Sequence, residues 1–306
     1  MDGKRQQLLL EKGKLIDEQV ALNISEKTQT QCQYRDKSSV NKIEVFLTIL
    51  FILIVLFLIN VSQGVLRWVF IMTTFLLVHG SWHGGWCYKK VVQKLTQQGH
   101  DVYTPTLTGL GERSHLLSRE VNLSTHIEDV CNVIRFEELK DVVLCGHSYA
   151  GMVITGVADR MPEHIKTLVY LDAFIPENGK SALDYCNVFW RQKILSGAAA
   201  NQGCFVPPVS ARDLGIVDAK DCEWVDRHCT VMPLAPFVEA ISLTGDFEKV
   251  PNLIYVYAEK REGSTFFQFF NRIKNDQHWI ATAVPCGHDM MIDMPDRLAE
   301  ILTSPL

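Results

Sequence analysis

Short apolar runs alternate with amphipathic segments across residues 72–306. The apolar runs are five to eight residues long and rich in β-branched and aromatic residues, which is typical of buried strands. The segments between them repeat apolar residues every three to four positions, which is typical of helices that cover a sheet. This alternation predicts a mostly parallel sheet with helices on both faces.

The apolar runs predict six strands, at 74–80, 101–107, 141–145, 167–174, 252–258 and 279–284. Five helices are predicted between and after them: 88–99, a helix from about Thr125, a helix after Ser148, 264–274 and a closing helix from Pro295. Thr125 and Glu128 have the spacing of a capping box, which indicates that the second helix begins there.

Residues 177–249 depart from this alternation. The segment is rich in proline and aromatic residues, among them Pro207, Pro208, Pro233, Pro236, Phe189, Trp190, Trp224 and Phe237. Prolines remove backbone donors and interrupt regular elements. The segment is therefore predicted to be a cap inserted over the sheet rather than more sheet.

The first 61 residues divide into two segments of different character. Residues 1–42 are polar and lack a sustained apolar period, which indicates a tail outside any folded core. Residues 43–61 form a run of 19 residues whose one charged residue is Glu44. A run of this length spans the hydrocarbon core of a bilayer as a helix, so a single transmembrane helix is predicted ahead of the domain at 72–306.

The charges beside this run predict its orientation. Four Lys and Arg residues lie between 27 and 42, whereas Arg67 is the one that follows closely. The positive-inside rule then places the N-terminus in the cytoplasm and the domain from residue 72 on the far side. The alternative is that translation starts at Met72, which would give a cytoplasmic protein without residues 1–71.

Composition excludes several classes of protein. With 47% hydrophobic and 21% charged residues, the chain can form a full core and is neither disordered nor fibrous. The net charge of −5 and the absence of a basic cluster exclude nucleic acid as the expected partner. A small-molecule role is the better expectation.

The nine cysteines lack the C-x-x-C spacing of a zinc site, so no metal is predicted. Most of them are expected to be free thiols in the core, as for Cys145 in an apolar run. Cys222 and Cys229 are close enough in sequence to form a disulfide in an oxidising compartment, which remains an alternative.

The stretch "VVLCGHSYAGM" places Ser148 directly between a buried strand and a helix. A sharp strand-to-helix turn of this kind exposes a serine hydroxyl at the carboxyl edge of a sheet. Gly146 and Gly151 permit close approach of the two backbones, and Ala150 adds one methyl group. Ser148 is the candidate nucleophile, and the alternative is a helix N-cap serine without chemistry.

The stretch "LLVHGSWHGGW" ends a strand in a His-Gly turn and supplies candidate oxyanion donors. Attack on an ester carbonyl creates an oxyanion that needs two fixed N–H donors. The backbone N–H of Ser81 is the expected donor from this turn, and that of Tyr149, after the candidate nucleophile, is the second. His83 is expected to shape the turn.

His288 follows the last predicted strand in "AVPCGHDMMIDMP" and is the candidate general base. A serine hydroxyl is a weak nucleophile until an imidazole accepts its proton. Three other histidines fit this role less well, because His147 lies in the turn of Ser148, His79 precedes the oxyanion turn, and His126 begins a helix.

Taken together, these stretches resemble the α/β-hydrolase superfamily, in particular small EstC-type bacterial carboxylesterases, plant methyl-salicylate esterases and hydroxynitrile lyases. The resemblance covers residues 72–306 and rests on "VHGSWHGGW", "PTLTGLGERSHL", "GHSYAGM", "LVYLDAFIP" and "GHDMM". It implies an α/β-hydrolase fold and a hydrolytic triad, with no metal or organic cofactor.

The acid of the triad departs from the plant-like pattern. In those relatives it follows the strand before the histidine strand, and that position holds Lys260, which cannot orient an imidazolium. Glu259, one residue earlier, is one substitute. Asp172 in "YLDAFIP" is the other and is preferred, because some lipases of the superfamily place their acid after that earlier strand in a similar Leu-Asp context.

A second departure concerns the reaction. Hydroxynitrile lyases that resemble this chain use a lysine after the catalytic histidine and a threonine in the oxyanion turn, whereas these positions hold Asp289 and Gly80. Cyanohydrin cleavage is therefore not expected.

The expected function is a serine hydrolase that cleaves the carboxylic ester of a small apolar or aromatic substrate through an acyl-enzyme. The aromatic residues of 177–249 indicate an apolar pocket. The alternatives are lactone or amide hydrolysis or cofactor-free chemistry on the same fold, and a non-catalytic binding protein that keeps the pocket.

Overall fold

Six of the eight strands described by the computed structural model form one parallel sheet. The structure describes residues 49–52, 72–260 and 263–304. Its strands are β1 Thr74–Val78, β2 Asp101–Tyr103, β3 Val142–His147, β4 Ile165–Leu171, β5 Phe205–Val206, β6 Met232–Pro233, β7 Asn252–Ala258 and β8 Trp279–Val284. The order across the large sheet is β2-β1-β3-β4-β7-β8, with all neighbours parallel. The predicted parallel sheet is confirmed.

Helices cover both faces of the sheet. They are α1 Lys89–Gln97, α2 Leu123–Phe136, α3 Ala150–Arg160, α4 Ala182–Tyr185, α5 Val188–Ala200, α6 Ala219–His228, α7 Ala235–Val238, α8 Phe267–Ile273, α9 Met290–Asp293 and α10 Pro295–Thr303. Successive β3 residues point to opposite faces, so Val143 packs in the apolar cluster beneath α1 and α10 and Leu144 in the cluster beneath α2 and α3. The predicted α/β class is confirmed.

The predicted start of α2 is wrong by two residues. Asn122 is the N-cap, and its Oδ1 accepts a hydrogen bond from the Thr125 backbone N–H at 2.9 Å. Thr125 Oγ1 accepts from the Asn122 N–H at 3.4 Å, so this pair forms the capping box. Asn is among the strongest N-cap residues. Glu128 instead accepts from Arg135 and Arg160 on the helix surface.

The segment 177–249 contains α4 to α7 and the two-stranded antiparallel sheet of β5 and β6. None of its residues pairs with the large sheet. Side chains of α5 and α7 instead face the carboxyl edge of that sheet, where they line a pocket together with residues from the strand ends. This part of the chain therefore positions the walls of a site rather than extending the sheet.

The chain divides structurally before Ile71, and the unit Ile71–Leu306 contains the sheet. The predicted tail 1–42 lies outside the described residues. Of the predicted membrane span 43–61, residues 49–52 alone are described, and they form a helical turn. Within the described ranges, every helix falls short of the length and apolarity that crossing a bilayer requires.

The eight cysteines in the described ranges are free thiols. The alternative disulfide between Cys222 and Cys229 is not formed. Cys222 is buried and its Sγ donates to the carbonyl oxygen of Ile216 at 3.3 Å. The expectation of free core thiols agrees with these positions.

Candidate active site

Ser148 lies in a strained turn between β3 and α3. Its φ of 57° is in the left-handed region, which a non-glycine residue adopts at an energetic cost and which projects the side chain out of the turn. A Cβ on Gly146 would lie 2.8 Å from the Ala150 oxygen, and one on Gly151 only 2.0 Å from the Phe174 oxygen. The turn thus requires glycine at 146 and 151, and it accommodates the buried methyl group of Ala150.

Three side chains from three loops form one hydrogen-bonded row. Ser148 Oγ lies 2.8 Å from His288 Nε2. His288 Nδ1 lies 2.6 Å from Asp172 Oδ2 on the opposite side of the ring. Asp172 and His288 are buried, whereas Ser148 is half-buried. Such a row can move a proton from the hydroxyl to the imidazole while the carboxylate holds the ring.

The structure brings Asp172, and not Glu259, to the imidazole. Asp172 directly follows β4 with a φ of 41°, and its Oδ1 accepts from the Ala258 N–H at 3.4 Å. Glu259 and Lys260 are exposed beyond the end of β7, where their backbone N–H groups bond to the carbonyl oxygens of Val284 and Cys286. The predicted alternative acid therefore lies outside the row.

The oxyanion prediction concerns the backbone N–H groups of Ser81 and Tyr149. Tyr149 begins the turn into α3, where the first N–H groups of a helix have no intrahelical acceptor. Within the described residues neither amide donates to a protein acceptor. The Tyr149 side chain points away into the core, where its hydroxyl bonds His126 Nδ1 at 3.0 Å.

The pocket in front of Ser148 is mainly apolar and aromatic. Its lining residues are Ser81, Trp82, Ser148, Phe174, Cys186, Trp190, Ile194, Leu214, Phe237, Thr265, Phe266 and His288. The Phe266 ring stacks on the His288 imidazole with 5.0 Å between centroids and 7° between planes. Walls of this kind suit a small flat or apolar group.

Beneath the catalytic row lies a buried ion pair that sequence reasoning missed. His83 Nε2 is 3.0 Å from Asp289 Oδ2, and both side chains are at most 2% exposed. His83 Nδ1 also donates to the Ser81 carbonyl oxygen at 2.7 Å, so both ring nitrogens face acceptors and carry protons. The pair ties the turn of Ser81 to the loop of His288. In the sequence, the one feature that could have pointed to this pair was the position of Asp289 directly after the candidate base His288.

Opposing effects set the pKa values of this pair. Burial alone would lower the pKa of His83, but the Asp289 carboxylate raises it above its ordinary value of 6.5. Burial alone would raise the pKa of Asp289, but His83 holds it far below its ordinary value of 3.8. Both groups are therefore charged near neutral pH, which allows each to neutralise the other inside the protein.

His147 holds the backbone of the candidate base. Its Nε2 donates to the His288 carbonyl oxygen at 3.0 Å. Burial lowers the pKa of His147 to about 3, so this imidazole is neutral and carries its proton on Nε2. The histidine that precedes Ser148 thus positions the loop of His288 instead of serving as the base.

We expect Asp289→Asn to lower the free energy of unfolding by about 3–5 kcal/mol, because it leaves His83 buried without a countercharge. Asp289 contributes stability above pH 3.8, and this is lost as pH falls through its depressed folded pKa. His83 contributes stability below pH 6.5, and this is lost as pH rises through its raised folded pKa. The difference in the free energy of unfolding between wild type and Asp289→Asn should therefore be largest between pH 4 and 6.5.

Urea unfolding of wild type and variant from pH 3 to 9 measures this deficit. The control is Asp213→Asn, which removes a surface ion pair with Lys193 and should cost less than about 1 kcal/mol at every pH. A deficit for Asp289→Asn that equals the control would contradict a charged buried pair.

Comparison with known proteins gives the family. Residues 75–301 match the model of the Alpha/beta hydrolase family. The chain is 42% identical over 241 residues to the carbendazim hydrolyzing esterase of Nocardioides sp. (strain SG-4G), which covers 76% of this chain and 99% of that protein. It is 33% identical over 105 residues to Methylesterase 10 of Arabidopsis thaliana, covering 34% of this chain and 38% of that protein.

Solved structures show the same fold. An extracellular alpha/beta-hydrolase from a Paenibacillus species superposes with a TM-score of 0.65 at 24% identity, over 75% of this chain and 97% of that chain. The tomato Methylketone Synthase I superposes with a TM-score of 0.60 at 17% identity, over 76% of this chain and 97% of that chain. With a family match over most of its length and named esterases among its relatives, the chain is a carboxylesterase-type hydrolase and belongs to the alpha/beta hydrolase family.

Proposed function

We propose that the protein is a serine hydrolase that cleaves the carboxylic ester of a small aromatic or apolar substrate through an acyl-enzyme. The observation that carries the proposal is the row of Ser148, His288 and Asp172, with distances of 2.8 and 2.6 Å, at the base of an aromatic pocket. Esterase chemistry needs this combination of an activated hydroxyl and a water-poor site.

In the first half of the proposed reaction, Ser148 Oγ attacks the ester carbonyl carbon while His288 Nε2 accepts the hydroxyl proton. The carbonyl oxygen becomes an oxyanion, and the N–H groups of Ser81 and Tyr149 stabilise it. His288 then donates the proton to the leaving alcohol as the carbon–oxygen bond breaks. Asp172 keeps the Nδ1–H tautomer of the ring and stabilises the imidazolium.

In the second half, water attacks the acyl-enzyme. His288 Nε2 accepts a proton from the water, and the same two N–H groups bind the second oxyanion. Collapse of this intermediate returns the proton to Ser148 Oγ and releases the carboxylic acid. The chain's own residues supply every proton transfer.

The walls of the pocket support an aromatic substrate. Five aromatic side chains contribute to it: Trp82, Phe174, Trp190, Phe237 and Phe266. The names of relatives point in the same direction, since one is an esterase for carbendazim and others are methylesterases. We therefore propose methyl esters of small aromatic groups as the substrate class.

Labelling with a fluorophosphonate probe, followed by peptide mass spectrometry, tests this function. We expect wild type to be labelled at Ser148, because the probe reacts with an activated serine. Measuring kcat/KM for methyl benzoate, a methyl carbamate, a lactone and an anilide then ranks the reactions. We expect kcat/KM to be higher for the methyl ester than for the anilide. A protein that binds aromatic esters without labelling would be a binding protein and would refute the proposal.

We further propose that residues 43–61 anchor the protein in a membrane with its N-terminus in the cytoplasm. The length of the run and its single charged residue, Glu44, support this. We expect the full chain in the membrane fraction, released by detergent but not by high salt, and a chain that starts at Met72 in the soluble fraction. Recovery of the full chain without detergent would contradict an anchor.

A further inference from the structure

A second cavity lies beside the catalytic pocket, between α5 and the segment that contains and follows β5. Its volume is about 290 Å³. Three of its lining residues, Trp82, Trp190 and Ile194, also line the pocket in front of Ser148. Side chains that line two separate cavities lie between them, so we call these three residues the partition. The partition closes the catalytic pocket on this side.

The second cavity is apolar at its inner end and polar at its rim. Val206 and Val209 line it and are buried. Lys193 and Ser196 line it as well, but Ser196 is exposed and Lys193 Nζ pairs with Asp213 at 2.8 Å on the surface. A space with an apolar inner end can bury an alkyl chain, which gains free energy for each CH₂ group removed from water.

The walls of the second cavity are held in place. One wall contains Pro207 and Pro208, whose rings fix the backbone φ. A Cβ on Gly197 of α5 would lie 3.1 Å from Pro207 Cδ, so the helix and this segment are in close contact there. Trp82 Nε1 donates to the Val206 carbonyl oxygen at 3.2 Å, which ties the partition to β5. The cavity should therefore persist when one side chain of the partition is shortened, because a packed interior relaxes only in part.

Two members of the partition can be shortened without changing the catalytic turns. Trp82 directly follows Ser81, and its φ of 65° lies in the left-handed region, so a substitution there would disturb the oxyanion turn. Trp190 and Ile194 instead lie four residues apart on α5, which places them on one face of the helix. Trp190 is half-buried and Ile194 is 3% exposed. A change in either residue acts on the partition rather than on the catalytic row.

We propose that Trp190 and Ile194 set the upper size of the substrate's acyl group, because they close the catalytic pocket against the second cavity. An acyl chain that outgrows the pocket meets the partition in wild type. When either side chain is shortened, the terminal CH₂ groups of the chain enter the second cavity and are buried there. This inference rests on the proposed ester hydrolysis and names the residues that restrict it to small substrates.

The test compares kcat/KM of the full chain for methyl butanoate, hexanoate, octanoate and decanoate, measured as methanol release. The methyl group keeps the alcohol small, so the acyl chain is the group that varies. Each value is expressed as a ratio to methyl butanoate for the same protein, which removes any change in the catalytic step that is common to the series. In wild type, we expect this ratio not to increase beyond methyl hexanoate.

Ile194→Ala should raise the ratio for methyl decanoate by at least about 10-fold over wild type, since each CH₂ group buried in the second cavity contributes about 4-fold. Trp190→Ala should raise it in the same way. Ile194 is buried, and its shortening costs packing energy. Trp190→Ala, at a half-buried position, therefore keeps the inference testable if Ile194→Ala does not fold.

Two control variants enlarge one cavity without opening the partition. Leu214 lines the catalytic pocket but not the second cavity, and Leu214→Ala removes the same number of carbon atoms as Ile194→Ala. It makes room for a slightly longer chain within the pocket and should leave methyl decanoate as poor a substrate as in wild type. Val209 lines the second cavity but not the catalytic pocket, and Val209→Ala should leave every ratio unchanged.

Three results would overturn the inference, and they differ in what else they imply. If folded Ile194→Ala and Trp190→Ala give a decanoate ratio no higher than that of Leu214→Ala, the partition does not limit the acyl group and the hydrolase function stands. The same holds if wild type already prefers methyl decanoate to methyl butanoate. If no methyl ester is turned over, the proposed substrate class is wrong as well. Fluorophosphonate labelling of Ser148 then shows whether the serine mechanism survives that result.

Discussion

Ser148→Ala is expected to lower kcat for ester hydrolysis by on the order of 10⁵- to 10⁶-fold. The variant removes the nucleophile that lies 2.8 Å from His288 Nε2, so no acyl-enzyme can form. The oxyanion donors and the pocket remain, because alanine keeps the Cβ of the strained turn. A small residual rate over the uncatalysed reaction is therefore expected, from binding and oxyanion stabilisation alone.

Kinetics with methyl benzoate and labelling by a fluorophosphonate probe measure this loss. Ser196→Ala, on the exposed surface of α5, is the control and should keep both the wild-type rate of hydrolysis and the labelling by the probe. The thermal midpoint of Ser148→Ala should match or exceed that of wild type, because alanine removes a polar group from a strained position. Hydrolysis by Ser148→Ala at the wild-type rate would refute the mechanism.

Asp172→Asn is expected to lower kcat by on the order of 10⁴-fold. An asparagine amide can donate to His288 Nδ1, which favours the tautomer with its proton on Nε2, and that tautomer cannot accept the proton of Ser148. The substitution also removes the negative charge that stabilises the imidazolium at a distance of 2.6 Å. Both effects act on the transition state, so kcat should fall much more than KM changes.

Glu259→Gln is the matched control for this variant, because it makes the same chemical change at the other acid near the strand ends. Glu259 is exposed, and we expect kcat to change less than 2-fold, which is about 0.4 kcal/mol. The double variant Ser148→Ala, Asp172→Asn should be no slower than Ser148→Ala alone, since the two residues act as one unit. A large loss for Glu259→Gln with a mild one for Asp172→Asn would reverse the assignment.

Most of the fold could be predicted from local pattern. The strands at Thr74–Val78 and Val142–His147 are apolar on both faces, and the helices between them carry one apolar stripe, which is what a covered parallel sheet requires. The first residue of α2 was predicted less accurately than the strands. Asn122 and the Thr125–Glu128 pair both have capping chemistry, and packing of Leu123 in the core favours the earlier start.

The positions of Ser148 and His288 could also be predicted, because Ser148 directly follows β3 and His288 lies in the loop after β8, both at the carboxyl edge of the sheet. The buried pair of His83 and Asp289 could not. The two residues are 206 positions apart, and a charged residue in a loop is usually solvated, so no local signal distinguishes one that is fully buried.

The sequence by itself determined the alternating α/β order, the strained serine turn and the candidate base, since these depend on periodicity and on glycines at short range. The tertiary structure alone decided which acid faces His288. Asp172 and Glu259 both follow strands of one sheet, and their distance from the imidazole depends on strand order and on the positive φ of Asp172.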